Sequence, residues 1–246
     1  MLGLRQVIGG LVLLTLVTAA CSSTSTSTSS GPSTSTQNVA ADRALAQAAN
    51  LKLSDFPSGW SVTSNPESSN GQGVDKSLAT CLKTNASAFE QSAPARVSSP
   101  EFADTSHNMA SSSITYLPSA SEAEEGMALF QQPYAAACLQ TVVTATVSQV
   151  LAHPSNPSDT LPLGMKLGSP TVATLSFPTL GDQSVAYRVT IPITGSVLSL
   201  GLYVDLVIAQ KGRAIALLTF VGVLNPFDAS LEQQLSTLTV GRLADT

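Results

Sequence analysis

Charge, aromatic residues, histidine and cysteine are all scarce in this chain, and each shortage removes a class of function. Of 246 residues, 11% are charged and 5% aromatic. Ordinary globular domains carry roughly 25% charge. Acidic residues outnumber basic ones, 16 to 11, so neither nucleic acid nor an anionic lipid surface would be held by charge. The two histidines, His107 and His153, lie far apart, and no H-E-x-x-H occurs. No metal or cofactor site is therefore expected. G-x-S-x-G, G-x-x-x-x-G-K-[ST] and G-x-G-x-x-G are also missing. Their absence removes the nucleophile elbow, the phosphate loop and the dinucleotide turn.

What is present begins with an export signal. Arg5 precedes a short apolar run, Val7 to Val17, which ends in Thr18-Ala19-Ala20 before Cys21. About twenty apolar residues are needed to span a bilayer, so this run reads as a cleaved leader and not as a membrane helix. Small residues followed at once by cysteine resemble the bacterial lipobox, although Thr18 stands where leucine is typical. The resemblance implies cleavage before Cys21, diacylglycerol and palmitate-type acylation on its sulfur, and anchoring to the outer face of the cell membrane. An ordinary secretory signal with a chance cysteine is the alternative. Residues 22–38 are almost entirely Ser and Thr. Such a tract has too little apolar surface to offset chain entropy and reads as a disordered tether of roughly 20–25 Å mean span, with or without O-linked sugar. The expected organisation is a leader over 1–20, a lipidated and tethered segment over 21–40, and one domain over 41–246. Losing Arg5 with the leader changes the net charge from −5 to −6.

Two cysteines then remain, Cys81 and Cys138, and in an exported chain they most simply pair. Helical spacing puts Leu78, Cys81 and Leu82 on one face, and Tyr134, Cys138, Val142 and Thr146 near one stripe. A bridge would staple the two helices.

A short helix is expected over 41–50, and the Pro-Ser-Gly turn at 57–59 leads to Trp60, the single tryptophan. Residues 95–102 and 107–117 read as strands, the second weakly apolar on both faces and so partly exposed. Ser119 with Glu122 forms a capping box for the next helix, and Pro133 starts another. Residues 153–164 read as a loop. Val185 to Ile193 alternate as a half-buried strand, with Pro192 at an edge or bulge. Leu198, Leu200, Leu202, Val204, Leu206 and Ile208 make one apolar face, opposite Ser199, Gly201, Tyr203 and Asp205. Ala214–Val221 is apolar throughout, hence central, and the 210–213 turn uses Gly212. Asn225 and Pro226 would cap a last helix burying Phe227, Leu231, Leu235 and Leu238.

Hairpin-linked strands with grouped helices indicate an α+β domain, an antiparallel sheet with helices packed on one side. Small residues beside Tyr203 and Asp205, with Trp60 nearby, suggest a groove between sheet and helix; a merely solvated or covered face is the alternative. Asp104 and His107 form an Asp-x-x-His pair that could orient an imidazole. The lipobox, the tether, LSDFPSGW (53–60) and GLYVDLVIAQKGRAIALLTF (201–220) with the closing helix resemble mycobacterial surface lipoproteins of the PsbP-like LpqN/LpqT type, and the PknH-type extracellular sensor domains of mycobacterial Ser/Thr kinases. The resemblance implies a PsbP-like fold and a non-catalytic binding or adaptor module, with an envelope protein, lipid or glycolipid as ligand. An envelope hydrolase with a Ser/His/Asp site assembled from distant positions, His107 or His153 serving as base, is the alternative.

Overall fold

A computed structural model describes residues 38–64, 72–83, 95–152, 165–195 and 199–244. The leader, Cys21, the Ser/Thr tract, His153 and the 153–164 loop lie outside the described residues.

The described residues form five helices and nine strands. Helix α1 is Val39–Ala49 and is followed by a 3-10 turn, Leu53–Asp55. Helices α2 (Gln72–Cys81), α3 (Ala120–Phe130), α4 (Ala135–Ala152) and α5 (Ala229–Gly241) come later. The strands are β1 (Ser61–Ser64), β2 (Ala95–Ser98), β3 (Glu101–Ala103), β4 (Met109–Tyr116), β5 (Lys166–Leu167), β6 (Thr171–Thr174), β7 (Gln183–Thr194), β8 (Ser199–Lys211) and β9 (Ala214–Val223). They form one sheet in the order β1-β3-β4-β9-β8-β7-β5, with β2 also pairing with β4 and β6 with β7. Every described pairing is antiparallel. Among the described residues no helix is long and apolar enough to cross a membrane.

The expected α+β class, antiparallel sheet and stapled helix pair are all present. Pairing parity shows which residues share a face. Ile208, Leu206, Tyr187 and Ile215 face α3 and α4, through Met127, Phe130, Leu139 and Val142. Cys81 and Cys138 are bonded, with Cα atoms 5.5 Å apart, so α2 is tied to α4 on this side. Helices α1 and α5 add a second layer on the other face of the sheet. Ala110, Ala209, Ala214 and Ala216 there are fully buried, and their small side chains let the helices seat close. The reason is visible in β9: it is apolar on both faces, so both must be covered.

Three details depart from expectation. The strand read over 95–102 is two strands, because Ser99-Pro100 breaks the ladder. Strand β4 is not partly exposed; it lies inside the sheet between β9 and β2/β3. Ser112 and Ser113 are buried because each finds a partner. Ser112 Oγ donates to Asn50 Oδ1 (2.7 Å) and accepts from Leu51 N (2.9 Å), while Ser113 Oγ accepts from Arg96 Nε (2.7 Å). A satisfied hydroxyl is cheap to bury. Finally, the N-cap of α5 is Asp228, whose Oδ1 accepts from Leu231 N (2.8 Å). Asn225 and Pro226 instead fold over Gly222, where an added Cβ would lie 2.2 Å from Asn225 O.

Candidate functional site

Helix α5 presents an unexpected face to the sheet. Phe227 and Leu235 are buried as expected, but Leu238 is 36% exposed, and Glu232, Ser236 and Thr239 are buried in its place. These three sit at i, i+4 and i+7, one stripe of a helix. Opposite them, Arg188 on β7 and Asp205 on β8 are cross-strand partners. Arg188 Nε and Nη2 donate to Asp205 Oδ1 and Oδ2 at 2.6 and 2.5 Å. Asp205 is 1% exposed. Glu232, itself 1% exposed, lies within electrostatic reach of both Asp205 and Arg188. Burial, and then the negative charge of Asp205, push Glu232 up to about 8 against the opposing pull of Arg188. Glu232 therefore favours its protonated, neutral form at neutral pH. The cluster is then one cation, one anion and one neutral acid, the arrangement of lowest net charge for a dry site.

Two more arginine–carboxylate forks tie the helices on this face. Arg242 Nη1 and Nη2 bond Asp55 at 2.7 and 2.6 Å, joining the end of α5 to the 3-10 turn. Arg213, in the β8–β9 turn where Gly212 has φ +54°, grips Asp42 of α1 with both terminal nitrogens and stacks over Tyr116. Among the described residues no three His, Cys, Asp or Glu side chains converge as a metal site would require.

Trp60, Tyr203 and Asp205 belong to this face, but the space between them is occupied. Trp60 stacks on Phe56, with ring centroids 4.6 Å apart, and meets Phe227 at 5.8 Å; Phe227 meets Phe220 at 5.0 Å. Phe220 is the cross-strand partner of Asp205. Tyr203 folds its ring over Gly201, so that a Cβ there would lie 2.6 Å from it. Asp104 uses its oxygens on Ser106 N, Asn108 N and Asn108 Nδ2 at 2.8 to 2.9 Å. It shapes the β3–β4 turn. The Nδ1 of His107 is buried without a partner among the described residues, so the Asp-x-x-His pair does not orient an imidazole.

An open cleft of about 290 Å³ lies where the α3–α4 junction meets the β6–β7 edge. Gln131, Gln132, Thr174, Ser184 and Tyr187 line it together with the apolar Pro133, Ala136 and Val185. Gln131 Nε2 donates to Gln183 Oε1 (3.1 Å) and Gln132 Nε2 to Ala128 O (3.0 Å). Tyr187 donates its hydroxyl to Phe130 O. The lining is neutral, and its amide side chains are held by their nitrogens. Sequence reading missed this cleft, because β6 and the α3–α4 junction are far apart along the chain.

These features define an α+β domain with a nine-stranded antiparallel sheet, a buried Arg–Asp–Glu cluster on one face and a neutral polar cleft on the other. No family model and no curated protein sequence matches the chain. Among solved structures it is similar to the extracellular domain of PknH from Mycobacterium tuberculosis, at 12% identity and a TM-score of 0.43, over 82% of this chain and 95% of that one. Similarity of this degree assigns neither family nor function.

Proposed function

We propose that this chain is a cell-envelope lipoprotein, held on the outer face of the cell membrane through Cys21, whose folded domain is a non-catalytic module that docks a protein partner at the polar cleft. The cleft carries the reading. Its amide and hydroxyl groups, set beside the apolar Pro133, Ala136 and Val185, match the mixed hydrogen-bonding and apolar needs of a peptide segment. The space first expected to form a groove for an apolar molecule is filled by Trp60, Phe220, Phe227 and the Tyr203 ring. The Cys81–Cys138 bridge supports export, because such bonds persist in oxidising compartments.

Two experiments test this. Placing a photo-crosslinking residue at Gln132 in living cells should capture a defined envelope protein. Gln132→Trp, which fills the cleft, should reduce capture from Ser184 at least about tenfold, a loss of roughly 1.4 kcal/mol in binding. Equal capture with the cleft filled would overturn the site. A co-purifying lipid seen by native mass spectrometry would overturn the choice of a protein partner. For the anchor, Cys21→Ala should release the protein into the medium and abolish incorporation of a clickable fatty acid. Retention in the membrane fraction would place the anchor elsewhere.

A further inference from the structure

The two edges of the sheet are finished differently. At one end β1 carries a bulge between Val62 and Ser64, and the carbonyl of Arg96 on β2 is taken by Arg43 Nη1 of α1 at 3.3 Å. Bulges and charged side chains are the usual means of keeping a foreign strand off a sheet edge. At the other end β6 has neither. Strands β5 and β6 both pair with β7, and among the described residues no strand lies beyond them.

Register fixes which backbone groups of β6 point outward. Leu175 N donates to Ala186 O at 2.8 Å. In this antiparallel ladder Ala173 and Thr171 then bond β7 opposite Arg188 and Thr190, while Val172 and Thr174 turn their N–H and C=O away from it. Val172 agrees with that parity, since its N–H meets Gln140 Oε1 of α4 at 3.4 Å, longer than the ordinary range for such a bond. An amide oxygen on an exposed side chain thus stands, weakly held, where the carbonyl of a neighbouring strand would be. The N–H and C=O of Thr174 and the C=O of Val172 meet no partner among the described residues.

The side chains of Val172 and Thr174 share a face with Tyr187. Val172 packs against the core there, and Thr174 lines the polar cleft, so edge and cleft adjoin. They are framed by residues 126–158 and 167–181, which contain no Asp, Glu, Lys or Arg. A charged segment laid here would lose water with nothing to pair it. An uncharged segment avoids that cost, and its main chain supplies the donors and acceptors that the outward groups of β6 lack.

We propose that the partner is held by strand addition: an extended, uncharged segment of another protein pairs with the outer edge of β6. It hydrogen-bonds the main chain of Thr174 and Val172, displaces Gln140 from Val172 N, and passes one side chain into the cleft beside Gln132. This rests on the reading that the cleft docks a protein, and adds the form in which that protein is held. With only four residues in β6 the added ladder is short, so the side chain in the cleft sets its register.

Thr174→Pro isolates the edge. It deletes an N–H that β7 does not use, so the β6–β7 ladder keeps its bonds, while a strand added outside loses one. In living cells, a photo-crosslinking residue at Gln132 and, separately, at Ala173, which is exposed on the opposite face of β6, should label the same short segment of one protein. Mass spectrometry of the cross-linked peptides locates it. Thr174→Pro should cut both captures about tenfold or more, and Thr174→Val, which keeps the N–H, should leave them unchanged. A synthetic peptide copying the captured segment gives a reading that needs no variant. Hydrogen exchange at the Val172 and Thr174 amides should slow at least about tenfold when it is added. Capture from Gln132 that survives Thr174→Pro in folded protein, labels on separate segments, or amides at 172 and 174 left unprotected by the bound peptide would each overturn strand addition while the cleft reading stands. Capture of a second copy of this chain would overturn the choice of occupant. No capture from Gln132 in the otherwise unaltered protein would remove the cleft reading, and this inference with it.

Discussion

Arg188→Met should destabilise the domain by about 3–5 kcal/mol, the range for removing one partner of a buried ion pair. Asp205, 1% exposed, would be left buried without the guanidinium fork that satisfies both of its oxygens. Chemical denaturation followed by circular dichroism measures the shift. The deficit should grow as pH rises, because raising pH removes the Glu232 proton and sets two carboxylates against each other. The triple replacement Arg188→Met, Asp205→Leu, Glu232→Met should recover most of the loss, to within roughly 2 kcal/mol of the parent, since replacing a whole buried ionic cluster by apolar side chains is often neutral. A single variant that loses less than about 1 kcal/mol would show the cluster to be hydrated and of surface strength.

Breaking the bridge should be the second large effect. Cys81 and Cys138 close a loop of 57 positions, for which the chain-entropy model gives about 4 kcal/mol. For a domain near 200 residues this corresponds to a fall in Tm of roughly 8–16 °C. Scanning calorimetry of Cys81→Ser and of the reduced parent should give the same fall, because both release the same constraint on the unfolded chain. The loss should appear chiefly as looser packing of α2 and the residue after it, where Leu78 and Leu82 cluster with Cys138 and Leu139 of α4. Titration of two free thiols in the untreated protein would refute the bridge.

Some of this architecture was legible along the chain because its causes are local. Alternation over 185–193 and 198–208 identified two neighbouring strands, and the β8–β9 turn followed from Gly212. Ser119 capped α3 as expected, its side chain accepting from Glu122 N. The Arg188–Asp205 pair had a readable signal that went unused: each is the charged residue in the middle of its strand, and closing the hairpin at Thr194 and Ser199 brings them opposite. Other features had no local cause. Strand β4 looked exposed since serine is polar, yet Ser112 is buried against Asn50 and Leu51, some sixty positions earlier. The α5 stripe looked apolar over 227, 231, 235 and 238. Phe227 and Leu235 are indeed buried, but Glu232, Ser236 and Thr239 share that face in place of Leu238.

By itself, then, the sequence determined the identity of most elements, the antiparallel class and the partnership of its two remaining cysteines, all of which depend on periodicity, caps, turns and counting. Only the tertiary structure decided which polar groups are buried and what they meet. Burial of Asp205 and Glu232 is favourable or ruinous according to whether Arg188 and one proton arrive at the same place. That coincidence joins β7, β8 and α5, and no window along the chain contains it.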